Sequence, residues 1–149
     1  LLRDEPDYAE RATTLAAKCK DVSEVLAELS PRAPRHPLPL SVAYHDACHL
    51  QHAQGVTAEP RDVLAAIPEL DGLEIPEAGL CCGSAGSYAI LQSSIAKRLR
   101  QGKLNALQAG EPNVIATANV GCQVHLAAQA TVPVRHWIEL VDSAMPLSD

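Results

Sequence analysis

Asn113-Val114-Ile115-Ala116-Thr117-Ala118-Asn119-Val120-Gly121-Cys122 is the stretch whose reading decides the fold. Its first six residues form a short run of β-branched and small apolar side chains, the length of a buried strand and too short for a helix. Asn119 and Gly121 turn the chain, and a helix over 123–130 follows. A strand therefore delivers a cysteine into a turn that opens a helix. A cysteine at the end of a strand recurs twice upstream. Leu40-Ser41-Val42-Ala43-Tyr44-His45 reads as a buried strand that runs into Asp46-Ala47-Cys48-His49. Gly72-Leu73-Glu74-Ile75-Pro76, a weaker strand, leads to Gly79-Leu80-Cys81-Cys82-Gly83 and then to a helix over 87–109. Strands alternating with helices predict an α/β fold: a small parallel sheet of about four strands with helices on both faces. In such a sheet the loops beyond the C-terminal strand ends share one edge, so all three cysteine-bearing loops fall there.

Outside these segments, Ala12, Leu15, Cys19, Val22, Leu26 and Leu29 are spaced by three and four, which predicts one amphipathic helix over 7–29 with this stripe buried. Pro31, Pro34, Pro37 and Pro39 exclude helix or central strand over the next residues. A short helix over 59–67 stops near Pro68. In the helix over 87–109, Leu91, Ile95 and Leu99 form the inward face, with Lys97, Arg98, Arg100 and Lys103 mostly elsewhere. Val132-Pro133-Val134 is a last strand, and a helix over 136–144 closes the chain. The organisation read from this is an N-terminal amphipathic helix over 1–30, a Pro-rich linker over 31–39 and a cysteine-rich α/β domain over 40–149. The chain opens Leu1-Leu2 and its only methionine is Met145, which reads as a segment of a longer polypeptide.

The chain has 149 residues and a formal charge of −6, with no phenylalanine. No dense run of cations offers a nucleic-acid footprint. No stretch approaches the roughly 18 uninterrupted apolar residues of a membrane span, and no signal peptide opens the chain. Five cysteines, two of them adjacent, suit a reducing cytoplasm and ligand chemistry better than a secreted disulfide framework.

Cys48, Cys81, Cys82 and Cys122 are the candidate ligands, spaced by 32, none and 39 intervening residues. Thiolates must reach one centre from several directions, and loops at one sheet edge deliver them that way. Helix N-termini beside Cys82 and Cys122 offer unpaired N–H groups and partial positive charge to an anionic centre. Gly79, Gly83, Gly86 and Gly121 let backbone N–H groups approach sulfur. Two adjacent ligands strain a site for one small metal, and a multi-iron cluster relieves that strain. A vicinal Cys81–Cys82 disulfide and a catalytic Cys–His pair are the competing readings. Cys19, in the helical stripe, reads as a small buried hydrophobe and stays out of the site. His45, His49, His52 and His125 suit hydrogen-bonding support for the ligands, and His125, three residues beyond Cys122, is the strongest candidate for a further ligand. Gly83 and Gly121 complete that supporting set; Asp46 either orients a histidine or caps a turn. His36 and His136 read as surface or packing residues. Neither nucleotide-binding glycine pattern is present.

Tyr44-His45-Asp46-Ala47-Cys48-His49-Leu50, Leu80-Cys81-Cys82-Gly83-Ser84-Ala85-Gly86 and Ala116-Thr117-Ala118-Asn119-Val120-Gly121-Cys122-Gln123 together resemble the cysteine-rich CCG-motif domain. The version in the iron–sulfur subunit of glycolate oxidase is the most similar. The resemblance implies the last domain of a subunit whose ferredoxin-like part lies elsewhere. Cys48, Cys81, Cys82 and Cys122 carry over as ligands of an iron–sulfur cluster, expected to be 4Fe-4S, with zinc as the other occupant. The related heterodisulfide reductase pattern ends in C-x-x-C; here His125 stands at the final position, so the resemblance implies four thiolates with or without His125. The implied role is electron transfer from a flavin-containing subunit that oxidises glycolate or a similar 2-hydroxy acid, in the cytoplasm or at the inner face of the membrane. Two alternatives accompany it: a zinc-bound or metal-free docking module of the same complex, and a thiol–disulfide redox domain.

Overall fold

In the computed structural model of the protein, residues 2, 4–29 and 34–146 are described. Four parallel strands, β1 (Leu40–His45), β2 (Leu70–Gly72), β3 (Val114–Thr117) and β4 (Val134–His136), form one sheet in the order β2-β1-β3-β4. The helices are α1 (Ala9–Ala16), α2 (Val22–Leu29), α3 (Glu59–Ala65), α4 (Tyr88–Leu91), α5 (Ser93–Leu107), α6 (Val120–Ala127) and α7 (Trp137–Ser143), with a π-helical turn at His49–Gln54.

Alternation along β1 and β3 divides the core in two. Val42, Tyr44, Val114 and Ala116 point to one face and pack against Val63 and Leu64 of α3, Trp137, Leu140 and Val141 of α7, and Leu26 and Ala27 of α2. Ala43 and Ile115 point to the other face, where Leu104 and Leu107 of α5 and Leu126 of α6 cover them together with Cys82 and Cys122. The parallel sheet covered on both faces is the architecture expected. Connections running one way across it place α3 on the first face, and connections running the other way place α5 and α6 on the second, as right-handed crossovers require.

Several expectations need correction. The predicted helix over 7–29 is two helices, because Asp21 caps the second: its Oδ1 accepts from the Ser23 N–H at 2.9 Å, while Glu24 Oε2 accepts from the Asp21 N–H at 2.6 Å. This reciprocal pair is a capping box that breaks the stripe. Helix α1 buries no residue, and Leu15 and Cys19 are exposed. The second strand forms at Leu70–Gly72, ahead of the predicted 72–76, pairing with Leu40–Val42. The last strand likewise begins at Val134 rather than Val132. Helix α6 begins at Val120, earlier than predicted, with Asn119 as its cap.

The helix predicted over 87–109 breaks at Gln92 and is rotated. Leu91, Ile95 and Leu99 are exposed, and the buried side chains of α5 are Ala96, Arg100, Lys103, Leu104 and Leu107. The two cations turn inward because acceptors in the cysteine loop and at the end of α6 receive them. Lys103 Nζ donates to the Ala78 carbonyl at 2.6 Å, and Arg100 donates to the His125 carbonyl and to Gln129 Oε1, both at 3.2 Å. His136 is a helix cap: its Nδ1 accepts from the Ile138 N–H, and Glu139 accepts from the His136 N–H.

Residues 34–39 carry no regular structure, and the His36 and Leu38 N–H groups are tied to the Ala144 and Pro68 carbonyls. Ser30, Pro31, Arg32 and Ala33 lie outside the described residues.

Candidate metal centre

Each candidate ligand owes its place to a strand end. β1 finishes at His45, whose side chain follows Ala43 to the α5–α6 face by strand alternation. Cys48 comes three residues later, and the π-helical turn after it is anchored by the buried cluster of Ala47, Leu50 and Val56. β3 finishes at Thr117, in register with His45, and its continuation opens α6 with Cys122 in the first turn. Asn119 fixes that turn. Its Oδ1 accepts from the Cys122 N–H at 3.0 Å, and its Nδ2 lies 3.4 Å from Nδ1 of His49, joining the first cysteine loop to the third.

The Cys81-Cys82 loop is seated on α5 through Gly83. This glycine has φ +88°, and a Cβ there would lie 2.6 Å from the Ala96 carbonyl oxygen. Gly121 is confined less severely, since a Cβ would meet two side-chain atoms, Asn119 Oδ1 at 3.0 Å and Ser84 Oγ at 3.1 Å. Gly83 thus seats the second cysteine loop on α5, and Gly121 lets the third loop approach Ser84 of the second. The Gly83 N–H donates to Cys81 Sγ at 3.3 Å, so the turn also supplies a hydrogen bond to sulfur.

The loops bring together an inner group and an outer pair. His45, Cys82 and Cys122 are buried, and their ligand atoms all lie within 4.8 Å of one another. Cys81 interacts with Cys48, and both are exposed. The two sets share an electrostatic environment: negative charge on Cys82, Cys48 and Cys81 each raises the pKa of Cys122. His125, the further ligand considered from sequence, is directed elsewhere, with Nε2 3.4 Å from the Ala96 carbonyl oxygen, and it is not one of the inner group.

Acidities follow from this packing. Cys82 is pulled down to about 4, chiefly by the hydrogen bond with Cys122, with His45 and the Ser84 N–H adding to it against the cost of burial. Cys122 is pushed up by the same bond, by burial and by the negative charges around it. One thiolate and one thiol therefore share the inner position. Burial raises Cys81, opposed by the Gly83 N–H.

Two buried polar atoms beside the cysteines are left over: His45 Nδ1 and Thr117 Oγ1 have no hydrogen-bond partner. A buried imidazole nitrogen without a partner costs free energy unless something coordinates or bonds it. Sequence reading placed His45 among the supports and passed over Thr117. Strand alternation from Ala43 was the available signal for His45; Thr117 has none without the β1–β3 register.

The model of the cysteine-rich domain called CCG matches residues 42–127, a span that contains all four candidate cysteines. The chain belongs to the CCG family. Among curated relatives of this CCG chain, the glycolate oxidase iron-sulfur subunit of Escherichia coli K12 is 41% identical over 149 residues, 97% of this chain and 35% of that protein. The probable glycolate oxidase iron-sulfur subunit of Bacillus subtilis is 38% identical over 128 residues, 85% of this chain and 29% of that protein. The CoM/CoB fumarate reductase of Methanothermobacter marburgensis has one subunit that is 33% identical over 150 residues, 97% of this chain and 30% of that subunit. The CCG chain thus spans about a third of the length of these relatives. They are subunits of redox complexes, and membership of this family makes the chain consistent with a part of an oxidoreductase. No helix among the described residues is long and apolar enough to cross a membrane.

Proposed function

We propose that this domain holds a metal–thiolate centre in an oxidoreductase complex and relays electrons through it. The observation that carries the proposal is the buried His45, Cys82 and Cys122 group with its unpartnered imidazole nitrogen, beside the exposed Cys48 and Cys81. Sulfur and imidazole donors of this kind suit zinc and iron. The ligands would be Cys48, Cys81, Cys82 and Cys122, with His45 either completing the set or hydrogen-bonding a sulfur. An iron–sulfur cluster, when bound, supplies one-electron transfer at a potential set by its surroundings. The chain's contribution is to hold the Cys82 thiolate ready, to donate the Gly83 and Ser84 N–H groups to sulfur, and to set Cys122 at the positive end of α6. By analogy with the glycolate oxidase iron-sulfur subunits, the electrons would come from a flavin-containing subunit that oxidises a 2-hydroxy acid, in the cytoplasm or at the inner membrane face.

A second reading rests on the compactness of the inner group. Ligand atoms within 4.8 Å of one another suit a single tetrahedral ion, for which Zn–S of about 2.3 Å places sulfurs a little under 4 Å apart. With His45, Cys82, Cys122 and one of the outer thiols around zinc, the domain would be a docking module without redox chemistry.

Iron, acid-labile sulfide and zinc analysis of the anaerobically purified full-length polypeptide, with electron paramagnetic resonance before and after reduction, separates the two. Iron and sulfide lost in Cys82→Ser, beyond those of any other cluster in the polypeptide, would support the relay. Zinc at one per chain, lost in His45→Ala and Cys82→Ser alike, would replace it with the docking module, and metal in neither protein would overturn both.

A further inference from the structure

Helix α5 carries two cations into the interior, and neither meets a carboxylate. Lys103 is 1% exposed, with Nζ 2.6 Å from the Ala78 carbonyl oxygen and 3.4 Å from that of Glu77. Arg100 is held by the His125 carbonyl and by Gln129. Among the described residues neither cation forms an ion pair. Glu77 is exposed and serves Lys103 through its backbone alone. Carbonyl oxygens solvate an ammonium without cancelling its charge, and a buried charge left uncancelled carries a large desolvation cost.

The surroundings of Lys103 show where the balancing charge lies. Burial lowers the pKa of its ammonium, while Asp46, Cys82 and Cys81 raise it in that order and Arg61 opposes them. Asp46 is already engaged, since Arg61 donates to both of its carboxylate oxygens. The anions that remain are the two sulfurs. Ala78 stands three residues before Cys81, so the ammonium is tied to the segment that delivers both cysteines. Lys103 forms no hydrogen bond to any candidate ligand, so what reaches the centre from it is its field.

We propose that Lys103 is the buried counter-charge of the metal–thiolate centre and favours its reduced, more negative state. The inference rests on the electron-relay reading. One-electron reduction adds a negative charge at the centre, so an ammonium fixed inside the protein raises the reduction potential. A lysine that only clamped the cysteine loop would give the opposite sign. Without the clamp, water reaches the centre, and water too stabilises the more negative state; the potential of a variant lacking the lysine would then rise.

The test is a redox titration followed by electron paramagnetic resonance on the anaerobically purified full-length polypeptide, wild type and Lys103→Met, restricted to the signal that Cys82→Ser removes. At the wild-type midpoint the ratio of reduced to oxidised centre should fall roughly tenfold in Lys103→Met, the effect of a unit charge about 10 Å away at an effective dielectric constant of about 20. Lys103→Gln is neutral but keeps an N–H donor; it should show the same fall, and it replaces Lys103→Met if that variant does not fold. A midpoint unchanged or raised in the neutral variants, with the Cys82-dependent signal intact, would overturn the counter-charge and leave the relay standing. Zinc alone at these cysteines, or no metal, would overturn the relay reading and this inference with it.

Discussion

Gly83→Ala should cost the protein far more than the loss of one glycine's flexibility, because two effects coincide at that position. The backbone sits at φ +88°, in the left-handed half of the map and beyond its small allowed well, where an L side chain costs about 1–2 kcal/mol. The new methyl would also lie 2.6 Å from the Ala96 carbonyl oxygen and 3.0 Å from the Leu99 Cβ. The oxygen belongs to the backbone of α5, so the helix cannot give way as a flexible side chain would. Relieving the overlap means lifting the cysteine loop, at a further cost of about 1–3 kcal/mol. A combined loss of about 3 kcal/mol lowers the melting temperature of a chain this size by about 6–12 °C. Gly86 provides the internal control, since it has φ +55° and open space around its absent Cβ. Gly86→Ala should lose only about 1 kcal/mol, or about 2–4 °C. Thermal unfolding followed by far-ultraviolet circular dichroism compares the two directly. Equal shifts for both variants would refute the argument that the loop is seated on α5 through this contact.

Three further outcomes follow from the same geometry. In metal-free, reduced protein the Cys82 thiolate should absorb near 240 nm at neutral pH, disappear as pH falls through about 4, and be missing in Cys82→Ser. Because its folded pKa lies below the ordinary thiol value of 9.0, the unfolded chain binds more protons between these values; stability should rise with pH across that window through this group and be lost as pH falls through 4, a dependence that urea titrations of the Cys82→Ser protein should show flattened. Lys103→Met removes the donor to the Ala78 carbonyl and should cost about 1–3 kcal/mol in urea denaturation; a change below about 0.5 kcal/mol, the range of ordinary surface substitutions, would mean that the buried ammonium does not clamp the loop. Asn119→Ala removes the cap of α6 and should cost about 1 kcal/mol, measured the same way, with faster reaction of Cys122 toward a thiol reagent in the metal-free protein.

The elements legible in the sequence were those whose pattern is complete within the element. The buried runs at Leu40–His45 and Val114–Thr117 have no competing reading, and both appear as the central strands. What misled was periodicity taken without its partners. Leu91, Ile95 and Leu99 form a regular stripe, yet the inward face of α5 is chosen by carbonyls at Ala78 and His125 that accept Lys103 and Arg100 and by the small Ala96 under Gly83. None of those partners is near α5 in sequence except through the fold. The stripe over 12–29 failed for a local reason that was readable: Asp21 and Glu24 have capping-box spacing. At the candidate site, cysteine spacing and loop position pointed to four cysteines, of which the structure groups Cys82 and Cys122 closely with His45; the position of His45 inside the group depends on which face of β1 turns toward α5.

Strand order explains why the thiols meet where they do. The chain leaves β1 toward β2 on one side and leaves β3 toward β4 on the other, so the boundary between β1 and β3 is where the sheet's connections diverge. Divergent connections leave an open crevice beyond the strand ends, and a ligand placed there displaces no packed element. Cys48 and Cys122 follow β1 and β3 into that crevice from its two sides. The Cys81-Cys82 loop comes from the β2-to-β3 crossover, the one connection that passes over β1, and α5 carries it back across the sheet. Cys82 is thereby brought against Cys122 and His45 while Cys81 faces Cys48. Adjacent cysteines thus reach opposite depths of one site, one in the dry interior and one at its mouth.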